Sequence, residues 1–438
     1  MGKIYIRTYA YNAEKTLRGA MDSILNQTYG DFVYYVCENG STDGTRGIVE
    51  EYAGGDSRIR PFFNDVNNDH SKTEECLNLP YSLEKGDFFC TLDADDEYMP
   101  TFFEKAMALI DENNLDIAAC GSRFIDTRTG LVMNGGYSIP RNLILRSGGF
   151  KRHFRTYMQF MYTIWGKLFS GALLRRCDFT KTGKVGIGND TVFSLEAFSQ
   201  AGKVGILGGT LHKYYISPKS TIHKYDSGRV ASNQAVCECM FDFLRVRDAY
   251  SPENRDYVYS VYTNIVNITI RILTEADICP AEKLCGFFDI LNYKRTKAVL
   301  AKPGICGNLA EVINANIKEL ISKSPITAGL SADAAIFMRE VVTHVLKGDM
   351  PAALDEILRI SEREIPDEHA EAFLRTAQTV AAAVEASDVY VFFSKIRTSH
   401  LIDCGRFDEA AALIDEFGKL LPDDPDFAGM RKKISCST

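Results

Sequence analysis

A chain of 438 residues with 45% hydrophobic content is long enough to bury a substantial core, and its length favours two or three domains over one. A net charge of -8 with no basic run or basic-aromatic stripe argues against a nucleic-acid partner. The longest apolar stretches, such as Val380 to Val384, are far too short to cross a bilayer, which predicts a cytoplasmic protein with at most peripheral membrane contact.

The first 120 residues alternate strand-like and helix-like segments joined by short connections. Strands are predicted at Ile4 to Thr8, Phe32 to Cys37, Ile59 to Phe63, Asp87 to Leu92 and Asp116 to Cys120. Helices are predicted from about Ala13 to Leu25, Thr42 to Tyr52, Lys72 to Leu83, and after Pro100. This βαβ rhythm predicts an α/β fold with a doubly wound, mostly parallel sheet. The first strand turns into Tyr9-Ala10-Tyr11-Asn12-Ala13 with no glycine to admit a pyrophosphate, which disfavours a dinucleotide-binding domain. From about Gly121 to Lys224 the pattern is irregular, with glycine-rich turns, an aromatic helix from His153 to Tyr162 and the single tryptophan, Trp165. Long connections beside a regular sheet commonly carry binding function.

Beyond about Asp226 the chain reads as helix after helix, including Ala231 to Tyr250, Val258 to Ala276, Ala332 to Leu346 and Ala370 to Ala386. The expected division is 1–225, regular over 1–120 and irregular over 121–225, followed by an all-α domain at 226–438. Gly405-Arg406-Phe407-Asp408-Glu409-Ala410 and its looser echo, Gly348-Asp349-Met350-Pro351-Ala352, suggest helical hairpins, as tetratricopeptide-like repeats or as an ordinary bundle. The twelve cysteines are scattered without a CxxC pair, and Cys37, Cys90 and Cys120 fall in apolar runs, so they are expected to be buried free thiols.

Two junctions carry chemistry. Phe88-Phe89-Cys90-Thr91-Leu92 runs straight into Asp93-Ala94-Asp95-Asp96-Glu97. Carboxylates two apart at the C-terminal end of a strand face the crevice where open α/β sheets bind ligands, and their hard oxygens suit Mg²⁺ or Mn²⁺. The alternative is an acidic helix start ahead of Pro100. The second junction, Glu38-Asn39-Gly40-Ser41-Thr42-Asp43, is either a capped turn or, with Tyr9 to Asn12, the wall of a nucleotide base site.

Taken together, the ordered features resemble the family-2, GT-A-fold inverting glycosyltransferases. They are Thr8-Tyr9-Ala10-Tyr11-Asn12, Asn39-Gly40-Ser41-Thr42-Asp43-Gly44-Thr45, Leu92-Asp93-Ala94-Asp95-Asp96, Trp165-Gly166-Lys167-Leu168-Phe169 and Gly188-Asn189-Asp190-Thr191-Val192-Phe193. The resemblance covers about residues 3 to 222 and implies that 1–120 is the nucleotide-binding half and 121–225 the acceptor-side half. It implies that Asp93, Ala94 and Asp95 form the DxD element that meets the donor ribose and, through Mn²⁺ or Mg²⁺, its diphosphate. It further implies that Asp190 is the catalytic base and that Thr8, Tyr9, Tyr11, Asn12, Glu38 and Asn39 line the nucleotide-sugar site. Trp165 would lie near the acceptor or be plain core. His212 or His223 would be a further metal ligand or a structural histidine, and His223 is taken as the candidate.

The chain departs from the family pattern at Glu38-Asn39, where paired aspartates are usual, and at Asn189, where glutamate is usual. The Arg-Asn element after the third strand is not recognisable, which leaves Lys72 as the candidate there. The implied function is a metal-dependent transfer of one sugar from a nucleotide-sugar donor, a UDP-sugar, to a saccharide or lipid-linked acceptor. The helical domain would serve acceptor, protein partner or a second copy. The rivals are a sugar nucleotidyltransferase, which the Tyr9 to Asn12 turn argues against, and a degenerate scaffold, which the survival of Asp93, Asp95 and Asp190 argues against.

Overall fold

The computed structural model describes residues 2–67, 74–216 and 224–437. Strands β1 (Ile4–Ala10), β2 (Phe32–Asn39), β3 (Ile59–Asn64) and β4 (Phe88–Thr91) form a parallel group in the order β3-β2-β1-β4. β1 alternates fully buried Ile4, Ile6, Thr8 and Ala10 with less buried neighbours, the period-2 signature of a strand. β4, Phe88-Phe89-Cys90-Thr91, is buried at every position, as a central parallel strand covered on both faces must be. Helix α1 (Leu17–Leu25) buries Leu17, Ala20, Met21 and Ile24, and α4 (Phe102–Asn113) buries Phe102, Phe103, Ala106, Met107 and Ile110. Their apolar stripes meet Ile4, Ile6, Tyr34, Val36 and Cys90 in one core cluster. Between them in the chain lie α2 (Thr45–Gly55) and α3 (Glu74–Ser82).

The irregular stretch after residue 120 completes the same sheet. After β5 (Glu97–Tyr98), which precedes that stretch, and β6 (Ile117–Asp126), which leads into it, come β7 (Leu143–Arg146), β8 (Lys167–Ser170) and β9 (Lys203–Ile216). The path runs β4-β8-β6-β9-β5, with β8 antiparallel to β4 and β6, β6 parallel to β9, and both β5 and β7 antiparallel to β9. The sheet is therefore mixed and mostly parallel. The aromatic helix expected over His153 to Tyr162 is broken into short turns, Phe154–Tyr157 followed by a 3₁₀ turn at Met158–Met161, with Phe154, Tyr157 and Phe160 buried. α1 starts four residues later than expected because Ala13 and Glu14 are held by the neighbouring turn. The cysteine reading is corrected at one position: Cys37 is disulfide-bonded, whereas Cys90 and Cys120 are free and buried. Spacing along the chain carries no information about which Cβ vectors approach.

The remainder is a series of helices, and the chain divides into compact units at 1–265 and 266–438, inside the helix Pro252–Glu275. Among the described residues no helix is long and apolar enough to cross a membrane. In the second unit, Arg339–Lys347 packs on Met350–Ser361, Asp367–Ala383 on Ser387–Asp403, and Ser387–Asp403 on Phe407–Leu420. Three of these helices end in one way. Gly348 (φ +79°), Glu385 (φ +59°) and Gly405 (φ +72°) are left-handed, and the next N–H reaches back to His344, Ala381 and Leu401 respectively. Two positions carry glycine; the third strains an exposed glutamate. Glu385→Gly is expected to stabilise the helical unit by about 1 kcal/mol, read as a higher urea midpoint; an unchanged or lower midpoint counts against the strain.

Candidate active site

The crevice at the C-terminal ends of β1, β2 and β4 is built by side chains that first satisfy the backbone. Thr8 is fully buried; its hydroxyl donates to the Leu92 carbonyl at 2.7 Å and accepts from Tyr34 at 3.0 Å, tying β1 to the chain leaving β4. Tyr9 lies under the Arg7 guanidinium at 5.0 Å, and Tyr11 projects outward, 45% exposed. The two βα turns are laced to each other. The Asn12, Ala13 and Glu14 N–H groups donate to Ser41, Thr45 and Asp43 side chains at 3.0, 2.8 and 3.2 Å, while Asn12 and Glu14 side chains accept from Thr42 N and Gly44 N at 2.8 and 2.9 Å. Asn12 takes a left-handed φ of +48°, which asparagine tolerates.

Glu38 is buried, with one carboxylate oxygen accepting from Ser41 N at 2.6 Å and the other, Oε2, without a hydrogen-bond partner among the described residues. An orphaned carboxylate oxygen is costly and points to a missing donor. Asn39 has no such vacancy: it accepts from Asn64 at 2.7 Å and donates to Asn67 at 3.1 Å.

Beyond β4 the acids gather. One carboxylate oxygen from each of Asp93, Asp95 and Asp96 lies within 4.8 Å of the others, and Ala94 between them packs toward the core. Asp93 and Asp95 are open on the crevice side, whereas Asp96 is buried. Protein packed around Asp93 desolvates its carboxylate, and Asp96, Asp190 and Asp95 repel its charge, so its pKa stands well above the ordinary range. Burial likewise raises Asp95, and raises Asp96 strongly. The acidic helix-start alternative is removed, because Glu97 and Tyr98 form β5 and α4 begins only at Phe102. Three carboxylates crowded together in this way could hold a hard divalent cation.

Asp96 accepts from Tyr215 N at 2.9 Å, and its other oxygen lies 3.4 Å from His212 Nε2. Burial drives His212 down to about 3, so the imidazole is neutral; its Nδ1 meets Ser122 Oγ at 3.0 Å. Asp190 lies in the first turn of the helix Asn189–Gln200. Gly188 ahead of it takes φ +85°, and a Cβ there would come 2.9 Å from Val236, so the entry to this helix admits only glycine. The Asp190 N–H donates to Asn189 Oδ1 at 2.9 Å. Burial raises the Asp190 pKa, opposed by the charges of Lys167 and Arg7.

Residues 6–176 match the family described as glycosyl transferase family 2. The chain carries a family-2 glycosyltransferase domain. Asp190 lies beyond the matched segment. Among similar proteins, EpsJ of Bacillus subtilis, an uncharacterized glycosyltransferase, is 25% identical over 214 residues, which are 48% of this chain and 60% of EpsJ. The Escherichia coli protein WfgD, a UDP-Glc:alpha-D-GlcNAc-diphosphoundecaprenol beta-1,3-glucosyltransferase, is 32% identical over 107 residues, 24% of this chain and 40% of WfgD. The chain thus spans less than two thirds of either relative. The crystal structure of S. aureus TarS 1–349 in complex with UDP aligns with 83% of this chain and 93% of its own at 14% identity and a TM-score of 0.44.

The transferase domain brings Asp93, Asp95, Glu38 and the Tyr9 to Asn12 turn to one end of the sheet, with Asp190 within electrostatic reach of Asp93. Trp165 is 4% exposed and lies in an aromatic stack with His212 at 4.3 Å, Tyr214 at 5.3 Å and Tyr137 at 6.1 Å. Lys72 and His223 lie outside the described residues. Sequence reasoning assigned no role to Arg7, Asp96 or Lys167. The signal was present for Lys167, a lysine set at the start of the apolar strand Leu168-Phe169.

These shifts predict an unusual pH response. Asp93, Asp95, Asp96 and Asp190 have folded-state pKa values above the ordinary 3.8, so the folded chain holds protons that the unfolded chain has released. Their contribution is present at acid pH and lost as pH rises through the raised values. His212, lowered to about 3, and Lys167, lowered to about 7, act in the opposite sense between their folded and ordinary values, two groups against four. In chelator, the melting temperature is expected to rise on mild acidification from neutral pH, and Mn²⁺ at neutral pH is expected to recover that gain. A melting temperature that falls on mild acidification in chelator would contradict the acidic cluster.

Proposed function

We propose that this chain is a metal-dependent inverting glycosyltransferase that moves one sugar from a UDP-sugar to a saccharide or lipid-linked saccharide. The observation that carries the reading is the Asp93-Asp95-Asp96 cluster just past β4 in a family-2 domain, with Asp190 near enough for its charge to act on Asp93. Asp93 and Asp95 would hold Mn²⁺ or Mg²⁺, which when bound stabilises the negative charge developing on the leaving diphosphate. The acceptor hydroxyl attacks the anomeric carbon from the face opposite the diphosphate. The bond from that carbon to the diphosphate oxygen breaks, UDP leaves with the electron pair, and Asp190 takes the hydroxyl proton. The orphaned Glu38 oxygen supports a uracil base, since a carboxylate accepts from its N3–H. Tyr11, exposed at the rim, supplies a ring to stack on that base.

Trp165 and its stack back the acceptor side of the crevice, and the printed specificity of WfgD supports a lipid-diphosphate-linked sugar as acceptor. The helical residues 226–438 would recognise acceptor, protein partner or a second copy. The test is a screen of nucleotide sugars for cation-dependent hydrolysis in the absence of acceptor. A UDP-sugar is expected to release UDP with Mn²⁺ and not with chelator. Equal release in chelator overturns the metal role, and pyrophosphate release from a nucleoside triphosphate overturns the transferase reading.

A further inference from the structure

Lys167 opens β8 and is 1% exposed, and among the described residues no carboxylate lies within ion-pair distance of it. Its ammonium donates to the Thr163 carbonyl at 2.7 Å, the Thr163 hydroxyl at 3.3 Å and the Trp165 carbonyl at 2.9 Å. Three acceptors around one nitrogen match the three N–H groups of the charged form. A buried ammonium without a contacting counter-ion is a poor structural choice, because an apolar side chain of similar volume would pack there at lower cost. Its retention asks for a purpose.

That purpose is visible in what else holds the same peptide segment. The Thr163 carbonyl also accepts from Ser194 Oγ at 2.6 Å, and the preceding Tyr162 carbonyl accepts from Thr191 Oγ1 at 2.8 Å. Thr191 and Ser194 belong to the opening turns of the helix that carries Asp190. Lys167 and this helix therefore grip one backbone carbonyl between them. We propose that Lys167 is a positioning residue for Asp190, fixing the 162–165 segment on which the base-bearing helix is docked. The inference rests on reading Asp190 as the base.

The groups around the ammonium fit that role. Burial pulls Lys167 down to about 7; Cys120 and Cys90 face it as neutral thiols raised by burial, His212 is neutral, and among the described residues Asp190 is the carboxylate whose field favours the ammonium. Arg7, packed on the Tyr9 and Phe89 rings at 5.0 Å, is the second cation acting on Asp190.

A double-mutant cycle on the full chain tests the coupling. The readout is UDP release from UDP-glucose and UDP-N-acetylglucosamine with Mn²⁺, with UDP affinity by calorimetry as the folding control. Lys167→Met is expected to lower kcat by about 10- to 100-fold, with KM and UDP affinity kept within about threefold. In an Asp190→Asn background the same change is expected to cost less than about threefold, because the base on which it acts is gone. Full additivity with Asp190→Asn, or a raised KM at unchanged kcat, overturns the inference and leaves Lys167 as packing. If Lys167→Met does not fold, Ser194→Ala removes the other hold on the carbonyl and takes its place in the cycle, with the same outcomes deciding. An Asp190→Asn variant as active as the parent defeats the base reading itself, a result distinguishable from additivity.

Discussion

Asp190→Asn is expected to bind UDP and Mn²⁺ with the parent's affinity and to transfer sugar about 10²- to 10⁴-fold more slowly. The amide keeps the shape at the start of the helix Asn189–Gln200, and the Asp190 N–H keeps its bond to Asn189, so the crevice is not rearranged. What disappears is the proton acceptor. The desolvation that raises the Asp190 pKa also makes its carboxylate a stronger base than an exposed aspartate, and Lys167 and Arg7 oppose that rise, which keeps the proton off until an acceptor arrives. The check is UDP calorimetry beside single-turnover transfer. Near-normal turnover would place the base elsewhere, and a large loss of UDP affinity would make Asp190 part of the nucleotide site.

Asp95→Ala is expected to remove the cation dependence of UDP binding and to weaken binding in Mn²⁺ by at least about tenfold. The remaining Asp93 and Asp96 carboxylates repel a diphosphate once no cation stands between them, and burial deepens that repulsion. Calorimetry with UDP, in Mn²⁺ and in chelator, gives the answer for parent and variant together. A parent that binds equally well in chelator would sink the cation, and an unaffected variant would take Asp95 out of its coordination.

The βαβ rhythm was legible because period-2 and helical patterning encode buried faces directly, as in β1 and α1, and Asp93 and Asp95 were legible because they follow such a strand without interruption. The sequence could not say that the acids precede a short strand and not the helix, since Glu97-Tyr98 becomes β5 only by pairing with Lys213 and His212, more than a hundred residues away. For Lys167 the sequence offers a lysine opening an apolar strand but not what surrounds it. Its burial is set by β6 and β4 on either side, and its acceptors are main-chain carbonyls with no sequence signature. The disulfide at Cys37 and the short turns over residues 154–161 also follow from tertiary approach and not from local preference. The orphaned Glu38 oxygen shows the reverse case, where a residue singled out by its place in a turn acquires meaning from what surrounds it.

Val236 stands where a Cβ on Gly188 would have to go, and it belongs to the helix Arg229–Val246, after the last strand of the sheet. Phe243 of that helix stacks on Phe154, and Arg247 just past it caps the Ser199 and Ala201 carbonyls at the other end of the base-bearing helix. The helix that presents Asp190 is thus braced at both ends from outside the sheet. A chimera that exchanged catalytic cores at the end of β9 would inherit the donor crevice without its brace. The compact unit that holds both the sheet and this brace runs to residue 265, so a transplant keeps the Asp190 helix in place only when the first helices travel with the sheet.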